Sequence, residues 1–341
     1  MRRQTLVYIF LSVISLSGIL ATPAHAQDGL PGSPAFGYGV CLQISGHQIE
    51  TAIQVASNYG IDWLTIDFNW AKYWPDANSD PQWDELDRAM NAISNTSIAV
   101  MVSIYNAPAW AMEASGPSST WTSELALRLA RRYPQHLLAF EIFPGANTVQ
   151  GWGTTPNASA YVHLLHSVDT ALRSAGHHQT TLASGLNPIE GTQSALGFLQ
   201  SLYDAGLGTQ IPIISLRIPS VVHPPSTSPD EVADYTLRFY EQVRQVMLAN
   251  GHQNGLIWLT RFEWGGGQSA ETQSQAEWLQ NAYIAMRKQL YIGVASFYCL
   301  NDTSTGTNLL NTDGSPTLTL NSLGELIASE SGHHTSSSSD G

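Results

Sequence analysis

The sequence predicts an α/β protein in which strands and helices alternate along one domain and close into a single (β/α)8 barrel. Short apolar runs recur along the chain, and segments with helical spacing separate them. Runs that are apolar almost throughout are typical of parallel strands covered on both faces. The eight predicted strands are 36–42, 63–67, 98–104, 137–143, 179–184, 211–218, 256–262 and 292–299. Eight strand–helix units within about 300 residues favour a closed TIM barrel.

An open, doubly wound sheet is the main alternative for this alternating pattern. Such a sheet carries a Gly-rich phosphate turn after its first strand, and the segment 41–46, Cys-Leu-Gln-Ile-Ser-Gly, is not such a turn. Helix-capping residues also fit the alternation. They are Gly60 after the first helix, Asn157 and Gly176 around the helix after the fourth strand, and Ser228-Pro229 and Gly251 around the helix after the sixth.

The N-terminus has the three parts of a secretory signal peptide. Arg2-Arg3 precede an apolar run at 6–20, and Ala24-His25-Ala26 offers small residues at the cleavage positions. An uncleaved anchor is the alternative, but the run is short for a membrane-spanning helix. We therefore expect residues 1–26 to be removed and the mature protein to be secreted, outside the cell or into the periplasm or cell envelope, with no membrane span after cleavage.

The remaining chain is assigned to one barrel and a tail. Residues 27–328 are predicted to form the barrel, and 329–341, which are mostly Ser, His and Gly, to form a disordered tail. The 341-residue chain has a formal charge of −13, which argues against nucleic acid or anionic lipid as a partner. Its 10 Trp and 13 Tyr residues suit a carbohydrate binder, since aromatic faces stack on sugar rings, although a well-filled core would also use them.

The two cysteines, Cys41 and Cys299, lie in the first and last predicted strands. These strands are neighbours if the barrel closes, and an exported protein can keep a disulfide. Bridges between directly paired strands have awkward geometry. We therefore expect two buried free thiols, with a disulfide as the alternative.

Function in such a barrel is carried by the loops that follow the carboxyl ends of the strands. These loops are unusually aromatic here, which predicts a sugar-binding cleft; packing of the loops as a lid is the alternative. The aromatic residues at this end are Trp70, Trp74, Tyr105, Trp110, Trp152, Trp264 and Tyr298.

Several motifs occur in the order and spacing of a known group of enzymes. They are Phe68-Asn69-Trp70 with Trp74-Pro75, Ala107-Pro108-Ala109-Trp110-Ala111, Phe140-Glu141-Ile142-Phe143 with Asn147 and Trp152-Gly153, Trp258-Leu259-Thr260 with Phe262 and Trp264, and the segment 309–316. The chain thereby resembles the clan of retaining (β/α)8 glycoside hydrolases, and most of all the family 39 branch and its bacterial exopolysaccharide-associated relatives. The resemblance implies an oligo- or polysaccharide partner and adds Asn147 to the aromatic residues as a candidate substrate-binding group.

Both catalytic positions of this clan are substituted here. These enzymes use one carboxyl group as acid/base and a second as nucleophile. The acid/base follows the fourth strand in a motif Glu-Ile-Trp-Asn-Glu-Pro-Asn, where this chain reads Glu-Ile-Phe-Pro-Gly-Ala-Asn, so that Gly145 takes the position. The nucleophile ends the seventh strand in a motif Thr-Glu-Phe-Gly-Trp, where this chain reads Thr-Arg-Phe-Glu-Trp, so that Arg261 takes it.

Glu263 is the best substitute nucleophile, because alternation along a strand keeps it on the same side as Arg261. Arg261 is expected to bind an anionic group. Within the protein this group is the carboxylate of Glu141, Asp67 or Glu263, and the alternative is a carboxylate or sulfate on a sugar.

The sequence thus predicts a secreted, non-catalytic glycan-binding relative of glycosidases. An active O-glycoside hydrolase with relocated carboxylates and a structural protein of the cell envelope, with a protein partner there, remain alternatives. No Gly-rich phosphate loop or Gly-x-Ser-x-Gly turn occurs, and we expect neither a metal nor a cofactor.

Overall fold

A computed structural model describes residues 36–45, 48–188, 194–233, 235–265, 272–302 and 308–336. Eight strands form a closed barrel, in which β1 pairs with both β2 and β8, and every neighbouring pair is parallel. They are β1 Gly37–Cys41, β2 Trp63–Asn69, β3 Ala99–Tyr105, β4 Leu137–Ile142, β5 Thr180–Leu186, β6 Ile213–Val221, β7 Leu256–Trp264 and β8 Ile292–Phe297. The predicted (β/α)8 fold and all eight strands are confirmed, with ends that differ by a few residues.

One helix follows each strand and packs on the outside of the barrel. The helices are α1 Ile49–Asn58, α2 Asp84–Ile93, α3 Ser119–Arg132, α4 Ala158–Ser174, α5 Ala195–Asp204, α6 Phe239–Ala249, α7 Thr272–Arg287 and α8 Leu318–Ser336. Four short elements lie in the described loops at the carboxyl ends of the strands. They are the one-turn helices Trp70–Tyr73 and Val149–Trp152, the 3-10 helix Ala109–Ala111, and a hairpin formed by Met112–Glu113 and Gly116–Pro117.

Two tryptophans fill the amino-terminal half of the barrel interior. The rings of Trp63 and Trp258 meet edge to face at 4.8 Å, surrounded by small and aliphatic side chains from other strands. Two glycines make room for them, because a Cβ at Gly37 would lie 2.7 Å from the Trp63 ring and one at Gly293 would lie 2.5 Å from that of Trp258. This end of the barrel is therefore a packed core, and open space is confined to the opposite end.

Most predicted helix ends are confirmed. The Asn157 side chain accepts a hydrogen bond from the backbone N–H of Ala160 at the start of α4. Gly60 and Gly176 adopt positive φ angles of 73° and 78° just after α1 and α4.

The start predicted at Ser228 is wrong. Residues 228–231 form a turn in which the backbone N–H of Glu231 bonds to the Ser228 carbonyl, and α6 begins at Phe239. Leu237, just before the helix, is already buried, and the buried positions of α6 itself start with Phe239.

The C-terminal boundary also differs from the prediction, since α8 continues to Ser336 and crosses residue 329. Glu330 accepts a hydrogen bond from the Tyr38 hydroxyl and forms an ion pair with Arg287. A carboxylate with two partners in the barrel anchors this part of the predicted tail. The predicted signal peptide, residues 1–26, lies outside the described residues, and among those described no helix is long and apolar enough to cross a membrane.

Cys41 and Cys299 are free thiols, and both are buried beside Tyr298. The Cys299 sulfur contacts the Cys41 carbonyl oxygen at 3.0 Å. The contact between the two thiols and their burial raise the pKa of Cys41 well above its ordinary value. Both effects disfavour the thiolate, which is the reactive form.

We predict that the native protein does not react with the aromatic disulfide DTNB, because both thiols are buried. The same protein unfolded in guanidinium chloride should release two equivalents of thionitrobenzoate per chain, one for each cysteine. A chain that releases none after unfolding without reductant would contain a disulfide, contrary to the structure.

Candidate functional site

A cavity of about 430 Å³ opens at the carboxyl ends of the strands. Its volume lies in the usual range for small-ligand sites. Ten of the fifteen lining residues carry polar side chains, and five of these are amides or aliphatic hydroxyls from four different loops. The lining residues are Gln43, Asp67, Tyr105, Asn106, Pro144, Gly145, Thr148, Gln150, Gly151, Gly185, Asn187, Arg217, Pro219, Arg261 and Tyr298.

The floor of the cavity rests on a carboxylate that is completely buried. Glu141 on β4 has no exposed surface. One of its oxygens accepts from Thr260 at 2.5 Å, and the other accepts from Ser103 at 2.6 Å and from the Arg217 Nη2 at 2.7 Å. The carboxylate is thus satisfied by side chains from three other strands, as a charge at this depth requires.

Arg217 on β6 joins Glu141 to the cavity wall. Its Nη2 atom lies 2.7 Å from an oxygen of Glu141 and 2.7 Å from an oxygen of Asp67 on β2. Burial alone would raise the pKa of Asp67, but the charge of Arg217 and its hydrogen bond hold that pKa below its ordinary value. Asp67 is therefore an ionised wall of the cavity at neutral pH.

Arg261 reaches the cavity because β7 contains a bulge. Leu216 pairs with Leu259 and Arg217 pairs with Arg261, so that Thr260 is an extra residue in β7. The side chains of both Thr260 and Arg261 consequently point to the barrel interior, one to Glu141 and the other to the cavity.

The carboxylate that binds Arg261 is Glu263. Arg261 donates through Nε to Glu263, its Nη1 lies 4.0 Å from Asp67, and its guanidinium covers the Tyr298 ring at 3.5 Å from the centroid. Of the three partners considered from the sequence, Glu141 is excluded, because its cation is Arg217. Burial alone would lower the pKa of Arg261, but the neighbouring carboxylates raise it, so that Arg261 is a fixed cation.

Gly145 forms part of a tightly folded loop after β4. It has a φ of 76°, a conformation that side-chain-bearing residues adopt rarely. Its N–H donates to the Gly185 carbonyl, and its carbonyl accepts from both the N–H and the hydroxyl of Thr148. A Cβ at Gly151 would lie 2.2 Å from the Gly145 carbonyl oxygen, so the short helix after the loop packs directly on it.

Three tryptophans predicted to bind sugar are buried instead. Trp70, Trp74 and Trp152 are at most 1% exposed and do not line the cavity. Trp70 packs on Trp74 and on Phe143, and Trp152 donates its N–H to the Ser115 carbonyl. These indoles have no free face for a sugar, and they act as the lid packing considered as the alternative.

The other predicted binding residues divide into two groups. Tyr105 and Tyr298 line the cavity, whereas Trp110 and Trp264 are partly buried against the core outside it. Asn147 is buried, and its side chain exchanges two hydrogen bonds with the backbone of Asn187. Asn147 thus fixes the loop after β4 to the end of β5 and presents no free group to a ligand in the cavity.

The sequence reasoning missed the most influential cavity residue, Arg217, and all the amides of the rim. Alternation along β6 could have identified Arg217, since the buried hydroxyl of Ser215 marks the inward side two residues earlier. Nothing in the sequence distinguishes Asn106 or Gln150 from other loop amides.

Two carboxylates of the site, Asp67 and Glu141, lie about as close together as the catalytic pair of a retaining glycosidase, but both are bound to an arginine. The Asp67 and Glu141 oxygens both lie 2.7 Å from the same nitrogen of Arg217, so they are at most about 5.4 Å apart, twice that distance. Retaining glycosidases separate their carboxyl groups by about 5–5.5 Å. Here, however, a guanidinium bridges the two. Among the described residues, no group of three or more His, Cys, Asp or Glu side chains is arranged to hold a metal ion.

We predict that Glu141→Gln lowers the free energy of unfolding by about 3–5 kcal/mol, because it leaves Arg217, a buried cation, without one of its two carboxylate partners. Glu263→Gln is the matched control, because it breaks an arginine pair that is nearer to the solvent, and it should cost roughly 1 kcal/mol. Urea denaturation of both variants measures the difference. Equal losses would contradict a central structural role for Glu141.

Comparisons with known proteins find likeness only at the level of structure. No family model and no curated protein matches the chain. A family 39 glycoside hydrolase from Bacteroides cellulosilyticus WH2 matches with a TM-score of 0.66 and 14% identity over 86% of this chain and 63% of its own. An exo-β-1,4-mannosidase from Opitutaceae bacterium strain TAV5 gives 0.65 and 12% over 87% and 60%. An endo-β-1,3-glucanase of family 128 from Sorangium cellulosum gives 0.59 and 14% over 85% and 98%.

The chain thus spans less than two thirds of the length of the first two of these enzymes. At such identities the likeness establishes the fold alone. The chain is a (β/α)8 barrel of the kind found in several families of glycoside hydrolases.

Proposed function

We propose that this protein is an exported, non-catalytic glycan-binding barrel that descends from glycoside hydrolases. The observation that carries the proposal is the state of the carboxylates around the cavity. Asp67, Glu141 and Glu263 each accept from a guanidinium, so each is held in an ion pair. A glycosidase needs one carboxyl group to donate a proton and another to attack the sugar, and a carboxylate bound to arginine is poorly suited to either role.

The two positions that carry the catalytic glutamates in the resembled clan support the same conclusion. Gly145 has no side chain, and Arg261 places a cation where the nucleophile would act. The transition state of glycoside hydrolysis carries positive charge. An unpaired cation ~4 Å away at an effective dielectric of ~20 would oppose it by about 4 kcal/mol, nearly a thousandfold in rate at ~1.4 kcal/mol per factor of ten. The ion pair of Arg261 with Glu263 makes that figure an upper limit.

The shape and lining of the cavity favour a neutral sugar as the ligand. Asn106, Gln150 and Gln43 offer both donors and acceptors for hydroxyl groups, and Tyr105 adds an aromatic surface. The two arginines face the three carboxylates named above, which leaves one negative charge in excess. Both guanidiniums are thus already occupied, and a uronate or sulfated sugar would add a further negative charge to this wall.

Export is proposed from the N-terminal segment 1–26, with its arginine pair, apolar run and Ala-His-Ala site. A secreted glycan-binding protein meets polysaccharides outside the cell or in the envelope. A purely structural role in the envelope, with a protein partner, is the competing proposal, and the binding experiment below separates the two.

We predict that calorimetric titration detects binding of at least one of three neutral probes, cellotriose, laminaritriose and mannotriose, and none of trigalacturonate. Gln150→Ala, which removes one amide from the cavity rim, should weaken binding between about twofold and tenfold. Gln54→Ala is the matched control, because Gln54 is an exposed glutamine on α1, away from the cavity.

Three outcomes would contradict this proposal. A preference for trigalacturonate would overturn the neutral specificity. Equal weakening by Gln54→Ala would overturn the placement of the ligand in the cavity. Binding of none of the probes, nor of longer neutral glycans, would favour the structural role.

We predict that the wild type releases no reducing sugar from hydroxyethylcellulose, laminarin or β-mannan. A triple variant, Gly145→Glu with Arg261→Glu and Glu263→Gln, restores both catalytic glutamates. The third change is needed because Glu263 would otherwise face a new like charge when Arg261 is replaced. A Cβ at Gly145 meets no atom closer than 3.6 Å, although its positive φ disfavours any side chain by about 1 kcal/mol.

Product release by the triple variant alone would show that the cavity still positions a glycosidic bond. Turnover by the wild type that Glu263→Gln abolishes would instead establish an active glycosidase with a relocated nucleophile, and our proposal would be wrong. Circular dichroism and thermal melting of each variant check that it is folded.

A further inference from the structure

One tryptophan at the carboxyl-terminal rim of the barrel is exposed and does not line the cavity. Trp121, in the first turn of α3, is 36% exposed. The chain buries most of its other indoles, including those of Trp63, Trp70, Trp74 and Trp152. An exposed indole at this rim is a candidate ligand surface, because an aromatic face can stack on a sugar ring.

Trp121 is held in a fixed orientation by its neighbours. Its ring meets that of Trp110 edge to face at 5.1 Å, and Trp110 in turn meets Trp74 at 5.1 Å. The N–H of Trp110 donates to the Pro75 carbonyl, and that of Trp74 donates to the Ser79 carbonyl. The exposed face of Trp121 is thus preorganised, which lowers the entropic cost of binding a ligand on it.

Polar groups flank the exposed indole. Glu124 and Arg128 lie three and seven residues after Trp121 on α3, and this spacing places all three on one side of the helix. Arg128 forms ion pairs with Glu124 at 2.7 Å and with Asp80 at 3.6 Å, and the side chain of Asp80 is 96% exposed. An aromatic face beside carboxylate and guanidinium edges can stack on a sugar ring and bond its hydroxyls.

The size of the apolar surface argues against a protein partner. About a third of an indole exposes on the order of 90 Å², whereas a stable protein interface needs roughly 800 Å² from each side. The other large exposed apolar side chains among the described residues lie on other elements. They are Val149, Val222, Leu248, Leu290 and Leu318.

We propose that Trp121 and Trp110, with the flanking Glu124, Arg128 and Asp80, form a second glycan-binding platform, which takes a further sugar of the polysaccharide whose other residues occupy the cavity. The inference rests on the proposed glycan-binding function. Trp110 lies four residues after Asn106 at the cavity rim, a separation of at most about 15 Å at ~3.8 Å per residue. One extended glycan can therefore reach both surfaces.

Linked sites predict a dependence on ligand length. A polymer that occupies both surfaces gains affinity from the second contact, because the first contact has already cost its translational and rotational freedom. A trisaccharide in the cavity makes only the first contact and gains no such affinity. Trp121→Ala should therefore weaken the binding of polymers and leave that of trisaccharides unchanged.

The test is affinity electrophoresis in gels that contain hydroxyethylcellulose, laminarin or β-mannan, together with calorimetry on cellotriose, laminaritriose and mannotriose. Trp121→Ala is expected to lower the affinity for the retained polymer about tenfold or more with no change in trisaccharide affinity. Trp121→Phe, which keeps an aromatic face, should retain most of the polymer affinity. Leu290→Ala is the control, since Leu290 is 87% exposed and lies between α7 and β8.

The outcomes distinguish this inference from the proposed function. If the wild type binds polymers and Trp121→Ala binds them equally well, the platform is wrong while the glycan-binding function stands. If Trp121→Ala and Leu290→Ala weaken binding equally, the effect is not specific and the platform is again wrong. If the wild type binds neither polymers nor trisaccharides, both proposals fall.

Discussion

A buried carboxylate on β4 constrains the carboxyl-terminal end of this barrel. Glu141 has no contact with solvent, and it takes its hydrogen bonds from Ser103 on β3, Arg217 on β6 and Thr260 on β7. A charge in this position is tolerated only with a cation and full hydrogen bonding. Four strands far apart in the sequence are therefore held at a fixed mutual position by one side chain.

The other charges of the site follow from that requirement. Arg217 has donors to spare after it neutralises Glu141, and one of its nitrogens also bonds Asp67 on β2. Arg261, admitted to the interior by the bulge at Thr260, is balanced by Glu263 and by the more distant Asp67. The result is an almost neutral network of alternating charges. A network of this kind stabilises and shapes a cavity, but it removes the free carboxylates that acid–base catalysis would use.

The sequence predicted the fold well because the fold depends on local patterns. Strand positions follow from apolar runs, and the motif order located Gly145 and Arg261 at the cavity. Side-chain exposure was less predictable. The predicted strand ends placed Trp70 and Trp152 at the carboxyl-terminal end of the barrel. Whether these two indoles are buried depends on packing against loops distant in sequence. Alternation along β6 places Arg217 on the inward side, but its anion is 76 residues away in the chain, and no local pattern marks such a pair.

The geometry also explains how sugar binding and catalysis can be separated in one cavity. Catalysis would depend on free carboxylates near the centre of the barrel, where every acidic group described above is bound to arginine. In the proposed function, recognition of hydroxyl groups would depend instead on the rim, where Asn106 and Gln150 are exposed and Asn147 fixes the loop after β4. Substitution at the centre therefore need not disturb the rim. A barrel of this construction could, as proposed, lose its chemistry and keep an affinity for sugar, because the two properties would be carried by different layers of side chains.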